Sequence, residues 1–137
     1  MPQVFRIMRR DADGFPTAQQ SSSALGVRPN VDISLDAKGD VIVNGEGMSV
    51  NPGWRAASIL RIPKRLRILM PGAAGSNNQF CFRAGAGPFQ QGPFAAGLTL
   101  EPDSATHGNI APAQAVPLAQ YEADITATRP DWQVDDT

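Results

Sequence analysis

The chain has one cysteine, Cys81, and one histidine, His107, among its 137 residues. One thiol leaves no internal disulfide to form, which is compatible with a reducing compartment. One histidine and one cysteine cannot close a zinc site of the usual composition. The carboxylates are not spaced like a known metal-binding loop. No apolar run approaches the roughly 18 residues of a membrane span. Arg9 and Arg10 are not followed by the apolar stretch a secretory signal needs. The expectation is a cytoplasmic protein with no membrane partner. An excess of positive charge is missing as well: 12 Lys and Arg stand against 13 Asp and Glu. That balance makes nucleic acid an unlikely partner. No repeat of roughly 20–50 residues is present, which removes solenoids and propellers.

What is abundant is punctuation. Thirteen glycines and twelve prolines exceed the average usage of about 7% and about 5%. Proline ends helices and is excluded from central strands, so short strands, many turns and few long helices are expected. Residues 3–9 read as a strand. Val31, Ile33 and Leu35 alternate with Asp32 and Ser34 as a half-buried strand. A turn over residues 36–39 then leads into a partner strand at 41–43, which predicts a hairpin. Residues 54–60 could make two helical turns. Residues 79–83 and 98–100 read as strands, and residues 107–111 as one more. Residues 116–128 form the best helix, with Leu118, Tyr121, Ile125 and Thr128 on one face and Pro130 as its stop. The acidic residues 133–137 are expected to fray. The fold class is α+β: a compact, antiparallel-rich β core with one or two short helices.

Several chemical signals fail on inspection. The loop Gly85-Ala86-Gly87-Pro88-Phe89-Gln90 has glutamine where a dinucleotide fingerprint needs its third glycine, and Pro88 removes a donor. No phosphate-binding G-x-x-x-x-G-K-[ST] loop occurs. Arg55, Arg61, Lys64, Arg65 and Arg67 form a local basic cluster that could meet phosphate. Such clusters are more often solvated.

Three residues remain. Arg6 interrupts the apolar run Val4-Phe5-Arg6-Ile7-Met8, where a charge is costly to bury without a partner. Taken alone it fits an outward-facing strand position. Ser49 lies in Gly47-Met48-Ser49-Val50 and taken alone fits a turn. His107 taken alone fits a surface histidine. Ser49 and His107 could serve a small hydrolase only if the fold brought them together, and the nucleophile-elbow pattern is half present.

These residues also sit in three ordered segments that resemble type VI secretion effector toxins with an ADP-ribosyltransferase-like fold. The segments are Val4-Phe5-Arg6-Ile7, Gly47-Met48-Ser49-Val50, and Ala105 to Ala113 with its Ala-Thr-His start and Pro-Ala end. The resemblance implies a single toxin-like domain over residues 1–137, with NAD bound in a cleft and ADP-ribose transferred to an intracellular target. It implies that Arg6 holds a phosphate or ribose, with Gly47, Met48 and Ser49 shaping the pocket and His107 orienting substrate. An immunity or antitoxin protein is an implied partner. The chain departs from many arginine-specific transferases in having no E-x-E motif. Glu101 and Glu122 are the carboxylates left by elimination. A non-catalytic binding module that keeps the fold therefore stays open beside the transferase.

Overall fold

A computed structural model describes all residues from Met1 to Thr137. Seven short strands and one α-helix build it, in an α+β arrangement of two antiparallel sheets. The strands are β1 (Val4–Arg9), β2 (Met48–Val50), β3 (Gln79–Ala84), β4 (Gly92–Ala95), β5 (Leu98–Pro102), β6 (Gly108–Pro112) and β7 (Gln133–Val134). The helix α1 spans Leu118–Ala127. One sheet has the order β1-β3-β7 and the other β2-β6-β5-β4. No helix is long and apolar enough to cross a membrane.

The principal core lies between the sheets and under α1. Val4, Met8 and Phe82 meet Met48, Val50, Leu100 and Ile110, with Tyr121, Ile125 and Trp132 closing the side. A smaller core lies on the opposite face of β1 and β3, where Phe5, Ile7 and Cys81 pack with Trp54, Ile62 and Leu66. Burial on both faces explains why Val4 to Met8 is apolar without alternation. A strand with one wet face would alternate.

Backbone pairing joins the two sheets at one point. Phe5 and Asn51 exchange backbone bonds of 2.7 and 2.9 Å. No further ladder pair joins β1 to β2. A gap therefore opens between these strands beyond Phe5.

The expected hairpin at residues 31–43 is much reduced. Its turn forms as read, with Gly39 at φ +84°, but the arms share only the Leu35–Val41 bridge, made by bonds from Asp36 N to Asp40 O and from Ile42 N to Ser34 O. The cause is Asp32, which caps a turn by accepting from the Arg28 backbone and guanidinium. That turn leaves Val31 exposed rather than in line with Ile33. The segment after Trp54 makes one 3₁₀ turn, Trp54–Ala56, not two helical turns. Residues 133–137, expected to fray, are tied down. β7 pairs with β3, Asp135 N donates to Cys81 O at 2.7 Å, and Arg83 holds the Asp135 carboxylate at 2.8 Å.

Candidate functional site

The gap between β1 and β2 is a cavity of about 260 Å³. Arg6 and Ile7 of β1 form one side, with Ser49 and Asn51 at the other. Ala56, Ala57, Ser58 and Arg61 of the following loop form a third wall, and Thr106 and His107 the fourth. Arg6, Ser49 and His107, far apart in sequence, thus line one space.

Register explains two of them. Ser49 pairs with Asn109, and His107 lies two residues before Asn109 on the same face. Met48 and Val50 point the other way into the principal core. Asn51 Nδ2 donates to Thr106 O at 2.8 Å and fixes the His107 turn against β2.

Arg6 does not face solvent. It is 6% exposed and lies on the same face as Val4 and Met8. Its Nε donates to Ala24 O at 3.0 Å, Nη1 to Ser49 O at 2.8 Å, and Nη2 to Ser21 O and Gly26 O at 3.2 and 3.4 Å. A guanidinium has five N–H groups, so these contacts commit most of them to carbonyls. No carboxylate pairs with it. Burial, with the repulsion of Arg61, pulls its pKa down to about 10, which still leaves it charged at neutral pH.

Arg61 is half-buried, and its pKa is lowered by burial and by nearby Arg28. Its Nη2 donates to Ser22 O. Two arginines thus hold the carbonyls of one loop, residues 21–26, and give the cavity a positive charge that no acidic lining residue offsets.

His107 supplies the remaining chemistry. Its Nδ1–H donates to the Asp103 carboxylate oxygens at 2.8 and 2.9 Å. Asp103 N and Ser104 N in turn donate to His107 O. This arrangement leaves Nε2 as the acceptor on the other ring edge. Ser49 Oγ shares the cavity with His107, but no hydrogen bond joins them. Cys81 is buried in the smaller core and does not line the cavity, and burial pushes its thiol up to about 12.

Not every residue expected at the site reaches it. Met48 is turned into the core by strand alternation. Gly47 is also outside the lining and has a packing role instead. A Cβ there would lie 2.2 Å from Ile110 O and 2.7 Å from the Tyr121 hydroxyl. Tyr121 donates to that same Ile110 O at 2.6 Å and accepts from Met48 N at 3.3 Å. Gly47→Ala therefore forces β2 away from β6 and breaks the tyrosine bridge, with an expected cost of about 3 kcal/mol in a urea melt. A cost near zero would mean that β2 is not held at this distance.

Neither carboxylate left by elimination lines the cavity. Glu101 accepts from Gln91 near the β4–β5 edge, and Glu122 accepts from Gln20 in a separate recess between α1 and residues 18–27. Sequence reasoning missed Arg61 as a lining residue because it sat within a cluster that read as solvated. It missed Asp103 too, although the Asp-x-x-x-His spacing across a turn was a usable signal. No family model, curated protein or solved structure matches the chain.

Proposed function

We propose that the chain is a toxin-like domain with an ADP-ribosyltransferase-like fold, that its β1–β2 cavity binds NAD, and that it transfers ADP-ribose to an intracellular target. The observation that carries this reading is the convergence of Arg6, Ser49 and His107 on one cationic cavity without an acidic side chain. Positive potential in a recess with low-dielectric walls favours a pyrophosphate. Arg61 has the freer guanidinium for direct contact. Arg6 supplies charge and holds the loop and Ser49 O in place. The cavity is smaller than the roughly 300 Å³ at which drug-sized sites begin, so it would enclose part of a dinucleotide. In this reading His107, held by Asp103, takes a proton from the target nucleophile as that nucleophile bonds to the ribose carbon, the ribose–nicotinamide bond breaks and its electron pair leaves with nicotinamide.

A ligand that binds only the native state raises its melting temperature. NAD at about ten times its Kd adds about 1.4 kcal/mol, which is a rise of roughly 4 °C for a chain of this size. No shift at millimolar NAD, combined with no toxicity on expression in a bacterial cytosol, rules the reading out.

The absence of a carboxylate from the cavity favours a second reading, a binding module that holds the ligand without cleaving it. A thermal shift with no nicotinamide released would select that alternative. A small hydrolase ranks behind both, because Ser49 and His107 share the cavity without the bond a nucleophile and its base need.

A further inference from the structure

From Gly47 to Leu100 the chain has no Asp or Glu, yet it carries Arg55, Arg61, Lys64, Arg65, Arg67 and Arg83. The remainder is net negative, so charge is segregated along the sequence. The middle of the cationic stretch is the loop over residues 58–70. Its inner side chains, Ile62 and Leu66, fill the smaller core. Its outer ones do the opposite. Leu60 and Ile68 are 73% and 90% exposed, and Ile59 and Leu69 are each 46% exposed.

A lone exposed leucine is ordinary, but four large aliphatic side chains on one short loop are a patch. The loop is ordered beneath them. Ala74 N donates to Ile59 O at 2.8 Å, and Leu69 N and Met70 N donate to Leu66 O at 2.9 and 2.8 Å. Ile59 Cδ1 lies against Gly72, next to the Ile68–Leu69 turn in sequence.

The surrounding cations choose the partner. Arg61 is held by Ser22 O. Arg67 Nε is held by Ala73 O at 2.7 Å. Arg65 Nη1 is held by Asn77 O at 3.2 Å, with Asp136 at 3.5 Å from Nη2. Each guanidinium is thus pinned by a backbone carbonyl and keeps other donors free. Pinned planar forks meet carboxylates of fixed geometry with little further ordering. A lipid headgroup needs no such pre-ordering and is served as well by loose lysines.

We propose that residues 58–70 are the docking surface for an acidic protein partner. Leu60 and Ile68 would be its buried apolar contacts, and Lys64 and Arg67 would face its carboxylates. The same loop supplies Ser58 and Arg61 to the cavity wall, so the partner stands beside the cavity mouth. Only the consequence for ligand access rests on the function proposed above.

Site-specific photo-crosslinking tests the surface. p-Benzoylphenylalanine is placed at Leu60 or Ile68, with Val43 as the control. Val43 is 52% exposed and lies beside β4 and β5. In the source cell, both loop positions are expected to join to one acidic protein, identified by mass spectrometry, and the control to none. With that protein purified, the Leu60→Ser/Ile68→Ser double variant is expected to bind at least about tenfold more weakly at an unchanged melting temperature. Wild-type binding should also weaken as salt rises from about 0.05 to about 0.5 M. No crosslink at either loop position, crosslinks to a basic protein or to lipid alone, or equal affinity of the double variant overturns the proposal. None of these readouts involves NAD, so a failure here is separate from a failure of the cavity reading.

Discussion

Arg6→Ala is expected to lower the stability of the protein by about 4 kcal/mol. The guanidinium is the sole hydrogen-bond donor to the carbonyls of Ser21, Ala24 and Gly26. It also reaches Ser49 O across the gap between the sheets. A buried acceptor stripped of its donor costs about 1–3 kcal/mol, and truncating a long buried side chain leaves a void as well. Some of the freed carbonyls gain water through the cavity, so the sum stays well below four full penalties. For a chain of this length the loss corresponds to a fall of roughly 15 °C in Tm. Arg6→Lys keeps the charge but not the fork, so it should recover less than half of the loss. A urea melt at neutral pH measures both. A loss under about 1 kcal/mol would show that the 21–26 loop does not depend on the guanidinium, which would then be free to serve a ligand directly.

Arg6 also shows how far the sequence could be read. The apolar run around it marked β1 correctly, because a run of β-branched, aromatic and aliphatic residues is a strand signal wherever the core lies. The direction of Arg6 was not legible. It depends on a second core packed behind β1, and that core is built by Trp54, Ile62 and Leu66 from a loop with no regular period. The helix was legible from its spacing, and Tyr121 and Ile125 are buried as the pattern requires. The hairpin is shorter than its alternation suggests, because alternation does not reveal that Asp32 binds Arg28 and curls the first arm. β4 carries no strand signal in the sequence, because Gly92 and Pro93 are poor strand residues. It forms as an edge strand with an irregular register, the position where proline is tolerated. β7 is only two residues long and has no pattern to find. That Arg6, Ser49 and His107 line one cavity follows from no periodicity or spacing in the sequence. Gly47 and Met48 belong to the same segment but serve packing, a division that only strand alternation and the close approach of β6 decide.

Under the proposed transferase reading, His107→Ala is expected to lower kcat by about 100-fold or more, while the fold survives. The side chain is 37% exposed, and its one side-chain partner is Asp103 on the same turn, so removing it empties no core. Ser49→Ala should likewise leave the melting temperature unchanged and reduce toxicity, because Ser49 Oγ makes no bond that the fold uses. Asp103→Asn is the sharper variant. Asparagine keeps the size of the side chain but removes the carboxylate that holds Nδ1–H and supports a positive ring. In a buried triad this loss is severe, but here the carboxylate is 55% exposed and water can replace part of it. A fall in kcat of roughly tenfold with KM for NAD unchanged is expected, since Asp103 acts through His107 and does not line the cavity. Nicotinamide release and target labelling read kcat, and a thermal titration with NAD reads binding. If His107→Ala keeps full transfer, the histidine is only a wall of the cavity, and the proton must go to a group outside it. If His107→Ala loses transfer but Asp103→Asn keeps it, the imidazole is oriented by the Asn51–Thr106 contact and the turn backbone alone.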